Sequence, residues 1–161
     1  MADLKKEFKD LNFVFVGSPY NGYRSTIALS KELNLMNNIK ILGYVPDHDI
    51  PELYRRSRAM IMPTFFGPTN IPPLEAMTLG CPVAISDIFG IREQLGEAAI
   101  YFNPESIDEI KNIMKLLWTD DLLCRNLSKK GVIQSARWNQ ASFNKKFETI
   151  INRVLTDTSS A

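Results

Sequence analysis

The chain has 161 residues, of which 45% are hydrophobic and 23% are charged, enough for one domain with a single core. Its formal net charge of +1 argues against general attraction to nucleic acid or to anionic membranes. No apolar run approaches the roughly 20 residues that span a bilayer. Cys81 and Cys124 lack a CxxC partner, so neither a zinc site nor a disulfide framework is indicated. We expect both thiols to be buried in a cytoplasmic protein.

Short apolar runs alternate with segments of helical period, a pattern typical of βαβ units. The predicted strands are residues 13–16, 39–42, 58–62, 82–86 and 98–102. The predicted helices are residues 22–33, 47–57, 71–79, 91–95, 106–118, 121–135 and 139–155. The fold class is therefore α/β, with a Rossmann-like, doubly wound parallel sheet. Residues 1–155 are expected to form one domain, and residues 156–161 a disordered tail.

Helix starts at two places carry capping residues. Asp49 precedes a helix with proline in its first turn, and Ser106 is followed three residues later by Glu109, which is the spacing of a capping box. These residues predict the first residues of both helices.

Loops rich in glycine, proline and polar residues follow the carboxyl ends of four predicted strands, at residues 17–21, 43–47, 63–70 and 86–90. Carboxyl ends of parallel strands share one rim, where doubly wound folds bind ligands. The sequence therefore predicts a ligand site at this rim.

The loop at 63–70 and the helix after it are the most informative part of this rim. Because the helix begins with two prolines, free amides near Asn70 and Ile71 and the positive helix end suit an anion such as phosphate. Glu75, one turn in, can accept hydrogen bonds from the diol of a ribose. Physical reasoning alone leaves equally open that Glu75 only complements the helix dipole. Of Phe65 and Phe66, we expect one inside the core and one at the rim.

The segments GPTNIPPLEAM at residues 67–77 and GCPVA at residues 80–84 resemble the donor-site signature of the group 1 glycosyltransferases, retaining enzymes of the GT-B fold. The resemblance extends over about residues 12–155, with further matches at Gly43, Gly90 and Gly96. It implies the C-terminal half of a GT-B fold, lacking the first strand and helix of that half.

The resemblance also implies which residues bind the donor. Glu75 matches the second glutamate of the family's E-x7-E pattern, which contacts the nucleotide ribose. Thr69, Asn70 and Ile71 match the loop and helix start that present hydroxyl and amide groups to the donor sugar and diphosphate.

Three more residues match the neighbouring loops of the family. Tyr44 and Val45 match the turn whose backbone reads the base edge, and Gly17 matches the glycine that lets the backbone approach the donor. No catalytic residue is assigned. The resemblance implies a UDP- or GDP-sugar as donor substrate, with no cofactor and no metal, because these enzymes hold the diphosphate with amides and basic side chains.

The sequence departs from the family pattern at two places. Gly67 stands where the first glutamate of E-x7-E would fall, and Thr69 and Asn70 could substitute for it. The strand and helix that carry an Arg and a Lys clamp for the diphosphate are absent. Arg24 and Lys31 are the nearest basic residues, and we expect both to be solvated.

The absent strand is the central one of the family order 3-2-1-4-5-6. Unpaired backbone groups in the middle of a sheet are costly. The sequence therefore predicts either a closed-up sheet of five strands or a strand supplied by another chain.

These observations favour a glycosyltransferase donor-binding domain of hexosyltransferase type, acting in glycan or bacterial surface polysaccharide synthesis. Its expected partners are a nucleotide sugar and an acceptor-binding N-terminal domain or partner chain, through which peripheral membrane contact could occur; no nucleic acid and no integral membrane segment are expected. Alone, the chain should bind nucleotide weakly and transfer little or no sugar. Two alternatives stay open: a non-catalytic subunit or scaffold of a split transferase, and a Rossmann-like domain with an inert rim.

Overall fold

The computed structural model describes residues 1–19, 22–67 and 69–158, in which helices alternate with parallel strands. The strands are β1 (Phe13–Val16), β2 (Ile39–Gly43), β3 (Met60–Met62), β4 (Val83–Ser86) and β5 (Ala99–Phe102). The helices are α1 (Ala2–Glu7), α2 (Tyr23–Glu32), α3 (Ile50–Arg56), α4 (Ile71–Thr78), α5 (Ile91–Leu95), α6 (Ile107–Thr119), α7 (Asp121–Ser135) and α8 (Gln140–Thr158). The α/β class and every predicted element are confirmed, and α1 is an additional helix.

Some element boundaries differ from the sequence prediction, and two of the differences have a clear cause. Strand β3 begins at Met60 rather than at residue 58, because its partner Val83 follows Pro82, which lacks the amide needed to extend the ladder. Helix α8 continues to Thr158, three residues into the expected tail, since neither glycine nor proline interrupts the segment. Residues 159–161 of that tail lie outside the described chain.

The strands form two sheets, not one. Strands β1 and β2 pair in parallel, and β3, β4 and β5 form a second parallel sheet in that order. The closed-up five-stranded sheet is therefore wrong for this structure. Helical contacts join the two parts instead: Lys5 of α1 donates to the Asn34 carbonyl at 2.5 Å, and Glu7 pairs with Lys115 of α6 at 2.5 Å. Within the described residues, β1, β2, β3 and β5 each keep one unpaired edge.

The main core surrounds β4, which is buried along its whole length. Val83 and Ile85 pack with α4 and α5 on one face, and Ala84 packs with Phe102 and α6–α7 residues on the other. Burial on both faces is typical of a central parallel strand with helices on each side. This rigid sheet supports the loops that follow β3 and β4.

The terminal helix α8 carries an exposed apolar stripe. Phe143, Phe147, Ile150 and Ile151 recur at helical spacing and are 43–61% exposed. The rings of Phe143 and Phe147 stack at 5.9 Å. None of the helices within the described residues has the length and apolar character to cross a membrane.

Candidate donor site

The loop after β3 makes a tight turn before α4. The Thr64 hydroxyl donates to the Phe66 carbonyl at 2.6 Å and accepts from the Phe66 amide at 3.3 Å. This turn directs both phenylalanines outward: Phe65 is 70% exposed and Phe66 is 84% exposed. The expectation that one of them is buried is wrong, because the turn closed by the Thr64 hydroxyl leaves both side chains at the surface.

Gly67 is required by the geometry of this loop. Its φ of +129° lies in a region that L side chains rarely adopt, and a Cβ there would lie 2.7 Å from Asn70 Oδ1 and 2.9 Å from Asn70 Nδ2. The Asn70 amide group also donates to the Gly67 carbonyl at 2.7 Å. The Asn70 carboxamide therefore occupies the space in which a side chain at position 67 would begin.

The backbone of Asn70 is held by a residue that sequence reasoning missed. Gln94 Oε1 accepts from the Asn70 amide at 3.1 Å, and Gln94 Nε2 donates to the Asn70 carbonyl at 3.1 Å. The expectation that the Asn70 amide is free for a ligand is therefore wrong. No local pattern in the sequence signals this contact, because it joins residues 24 positions apart and the burial of Gln94 is visible only in the structure.

Asn70 is the N-cap of α4, with φ −114° and ψ 124°, and its side chain makes no capping bond. Ile71, the first helical residue, is 68% exposed, and Thr69 is exposed. First-turn amides have no intrahelical acceptor, and the two prolines that follow have no amide at all. The accessible positive end of α4 thus starts at Ile71.

The Glu75 side chain is exposed one turn further along α4. The Tyr54 hydroxyl of α3 donates to Glu75 Oε2 at 3.4 Å. Burial, and then the Glu75 carboxylate, raise the pKa of Tyr54 to about 12, so Tyr54 stays a neutral donor. The other oxygen of the exposed Glu75 carboxylate has no bond to Tyr54 and can accept a hydrogen bond from a diol.

The remaining predicted residues lie on the β1–β2 sheet. The Gly17 amide donates to the Gly43 carbonyl at 2.8 Å, which brings the carboxyl ends of both strands together beside Tyr44 and Val45. Gly17 has φ +135°, and a Cβ added to it would meet nothing within 4 Å. The same glycine lines an open cavity of about 240 Å³. The Tyr44 side chain is 73% exposed.

The seven predicted residues thus fall into two groups on the two sheets. Gly17, Tyr44 and Val45 follow β1 and β2, and the segment from Thr69 to Glu75 follows β3. Each group lies at the carboxyl end of its strands, as the sequence predicts. Arg24 and Lys31 are exposed on α2, in agreement with the expectation that they are solvated.

A larger cavity, of about 370 Å³, lies at the opposite end of the strands. It is lined by residues that precede β3 and β4, and by α7. In this cavity, Arg58 donates a hydrogen bond to the Leu117 carbonyl at 2.9 Å and forms an ion pair with Asp121 at 2.5 Å. This cavity is therefore separate from the predicted rim.

The sequence matches a known family model. The model, "Glycosyl transferases group 1", matches residues 1–133. Curated relatives include O-antigen chain mannosyltransferase B of Escherichia coli, which is 33% identical over 101 residues, 63% of this chain and 26% of that protein. The O-antigen chain mannosyltransferase RfbU of Salmonella typhimurium is 34% identical over 117 residues, 70% of this chain and 33% of that protein. The chain thus spans between a quarter and a third of these two relatives.

Solved structures share the fold. Anabaena Alr3699/HepE in complex with UDP superimposes with a TM-score of 0.78 at 21% sequence identity. The match covers 89% of this chain and 41% of that one. At this level of identity the likeness establishes a common architecture.

Proposed function

Because the chain belongs to the group 1 glycosyl transferases, we propose that it is the donor-binding domain of a glycosyltransferase. The single observation that carries the proposal is the open start of α4 with the Glu75 carboxylate one turn behind it. A sugar nucleotide would bind across the carboxyl ends of the strands. Glu75 would accept from the ribose hydroxyls, while Thr69 and the Ile71 amide would face the sugar and diphosphate.

The β1–β2 rim supplies the rest of the proposed site. The cavity beside Gly17 gives a phosphate or sugar space to approach the backbone. Tyr44 and Val45 follow β2, where their backbone would read the edge of the base. The Anabaena HepE structure, which has the same fold, is in complex with UDP, and this supports UDP as the first probe of the site.

Transfer from such a donor breaks the anomeric bond, and negative charge grows on the leaving diphosphate. Preorganised amides and a helix N-terminus stabilise that charge without reorganising. In this chain the start of α4 would have that role, and no metal is part of the proposal. The transferred unit is proposed to be a hexose, with mannose the first sugar to test since the two curated relatives are named mannosyltransferases.

An acceptor-binding unit is the proposed partner, as an N-terminal domain of the same protein or as a separate chain. Exposed aromatic side chains surround the site: Phe65 and Phe66 after β3, Phe89 after β4, and Tyr44 after β2. We propose that these exposed rings contact the acceptor-binding unit. This chain covers 26% and 33% of the two curated relatives, so most of each relative has no counterpart in it, which is consistent with a further unit. The unpaired edges of β1 and β3 would accept a strand from it. A cytoplasmic location belongs to the same proposal.

Non-catalytic donor binding, in a subunit of a split transferase, is the second candidate. Gly67 favours it, since glycine replaces the glutamate that contacts the sugar in many relatives, and a side chain at this φ would be strained and would require Asn70 to move.

Isothermal titration with UDP and GDP tests the donor site. We expect weak saturable binding of one nucleotide to the chain, and at least about tenfold weaker binding in Glu75→Ala, because loss of a charged hydrogen-bond acceptor costs about 1.5–3 kcal/mol. Glu97→Ala is the matched control, since Glu97 is an exposed carboxylate that pairs with Lys130 away from the rim. Absence of heat with both nucleotides, or equal affinity in the two variants, would contradict the proposal.

A transfer assay separates the two candidates. The chain is incubated with UDP- or GDP-mannose and an acceptor glycan, alone and with the proposed acceptor-binding unit. Transfer only with that unit supports a donor domain. Nucleotide binding without transfer in either mixture supports the non-catalytic subunit.

A further inference from the structure

The loop that begins α4 is fixed from outside by α5. Both backbone groups of Asn70 bond to the Gln94 carboxamide at 3.1 Å, in the paired manner of two neighbouring strands. Gln94 is 5% exposed, so these bonds are partly shielded from water. Two hydrogen bonds from a buried side chain restrict the Asn70 backbone more than hydrogen bonds to water would.

Gln94 is itself held from behind. Its backbone carbonyl accepts from Gln134 Nε2 at 2.9 Å and from Trp138 Nε1 at 3.0 Å. Its amide donates to the Gly90 carbonyl at the start of α5 at 3.1 Å. Bonds from α5, from α7 and from the turn after α7 therefore fix the position of Gln94, and through its side chain they fix Asn70.

We propose that Gln94 is the positioning residue of the donor site: it sets the backbone angle at Asn70 and thereby the direction of the Ile71 amide and the Glu75 carboxylate. The inference rests on the proposed function. Gln94 does not contact the ligand, because its carboxamide is used by Asn70. Its effect on affinity comes from keeping the binding-competent loop populated before ligand arrives, since the apparent affinity falls in proportion to that population.

The test is Gln94→Met, which keeps the length and apolar volume of the side chain and removes both bonds. Hydrogen exchange of the Asn70 amide, followed by nuclear magnetic resonance without nucleotide, should be at least about tenfold faster because the amide loses its acceptor. The dissociation constant for the nucleotide that the wild type binds should rise about tenfold if the competent loop falls to about a tenth of its population.

Tyr101→Phe is the matched control. The Tyr101 hydroxyl donates to the Gly96 carbonyl at the end of the same segment and does not touch Asn70. We expect unchanged exchange at Asn70 and unchanged nucleotide affinity in this variant. A Gln94→Met protein that unfolds at the same urea concentration as Tyr101→Phe excludes general destabilisation as the cause.

Two results would overturn the inference: Asn70 exchange in Gln94→Met equal to that in wild type, or faster exchange without any loss of nucleotide affinity. Failure of the wild type to bind nucleotide is a different outcome. It would refute the donor site and with it the role of Gln94 in affinity, while the exchange measurement would still report whether Gln94 fixes the loop.

Discussion

At the scale of single residues, the donor loop depends on two small features, a glycine and an amide side chain. Gly67 adopts a positive φ, and a Cβ added to it would lie 2.7 Å from Asn70 Oδ1, so that Asn70 would have to move. At the position of the family glutamate, this chain therefore has a glycine with the Asn70 carboxamide packed beside it. Thr69 and Asn70, which the sequence offered as substitutes, differ in what they do: Thr69 is exposed, whereas Asn70 is bonded to Gly67 and Gln94.

Gly67→Ala should lower the free energy of unfolding by about 1–3 kcal/mol, because a non-glycine residue at this φ is strained. It should also weaken nucleotide binding, since Asn70 must move. Gly17→Ala is the control: Gly17 has a similar φ of +135°, but a Cβ there meets nothing within 4 Å. Urea unfolding of both variants separates the strain at φ from the collision with Asn70. Equal losses of stability would show that the collision costs nothing.

At the scale of elements, helix α6 illustrates how a local signal fixes a boundary. Ser106 is the N-cap, and its hydroxyl accepts from the Glu109 amide at 3.2 Å. The Glu109 carboxylate accepts from the Asn103 amide at 2.8 Å, three residues before the cap, so only half of the predicted capping box forms. Helix α3 differs, since Asp49 is its N-cap but makes no side-chain capping bond.

Ser106→Ala should therefore lower the free energy of unfolding by about 1 kcal/mol through the loss of the cap. Asp49→Ala, which removes no capping bond, should change it by less than about 0.5 kcal/mol. Urea denaturation followed by circular dichroism measures both. A loss in Asp49→Ala as large as that in Ser106→Ala would contradict this account of the caps.

At the scale of the whole molecule, the buried thiols Cys81 and Cys124 and the half-buried phenols Tyr54 and Tyr101 make the stability depend on pH in the alkaline range. Burial raises the pKa of Cys81 to about 11, and burial raises the pKa of Tyr54 and of Tyr101 to about 12. Each folded-state pKa exceeds the ordinary value of 9.0 for the thiol or 10.0 for the phenol. The folded state holds these protons more tightly, so their contribution is complete below those ordinary values and is lost as pH rises.

The melting temperature should accordingly decrease as the pH is raised from 9 to 12. This interval runs from the ordinary thiol pKa to the raised tyrosine pKa values. The double variant Tyr54→Phe with Tyr101→Phe should show a shallower fall above pH 10, because the contributions of both phenols are then removed. Thermal scans across this range, with ultraviolet titration of tyrosinate, measure both effects. Parallel curves for the two proteins would refute the role of the tyrosines.

The sequence by itself determined the order and class of the elements, and it placed the predicted ligand residues at the carboxyl ends of strands. Those features depend on local periodicity, on glycine and proline, and on caps such as Ser106, which act between near neighbours in the chain. Only the tertiary structure decided that the strands form two sheets, that Phe65 and Phe66 are both exposed, and that Gln94 takes the Asn70 amide. These outcomes depend on which distant groups meet: strand pairing and a bond between residues 24 positions apart have no period that a single sequence displays.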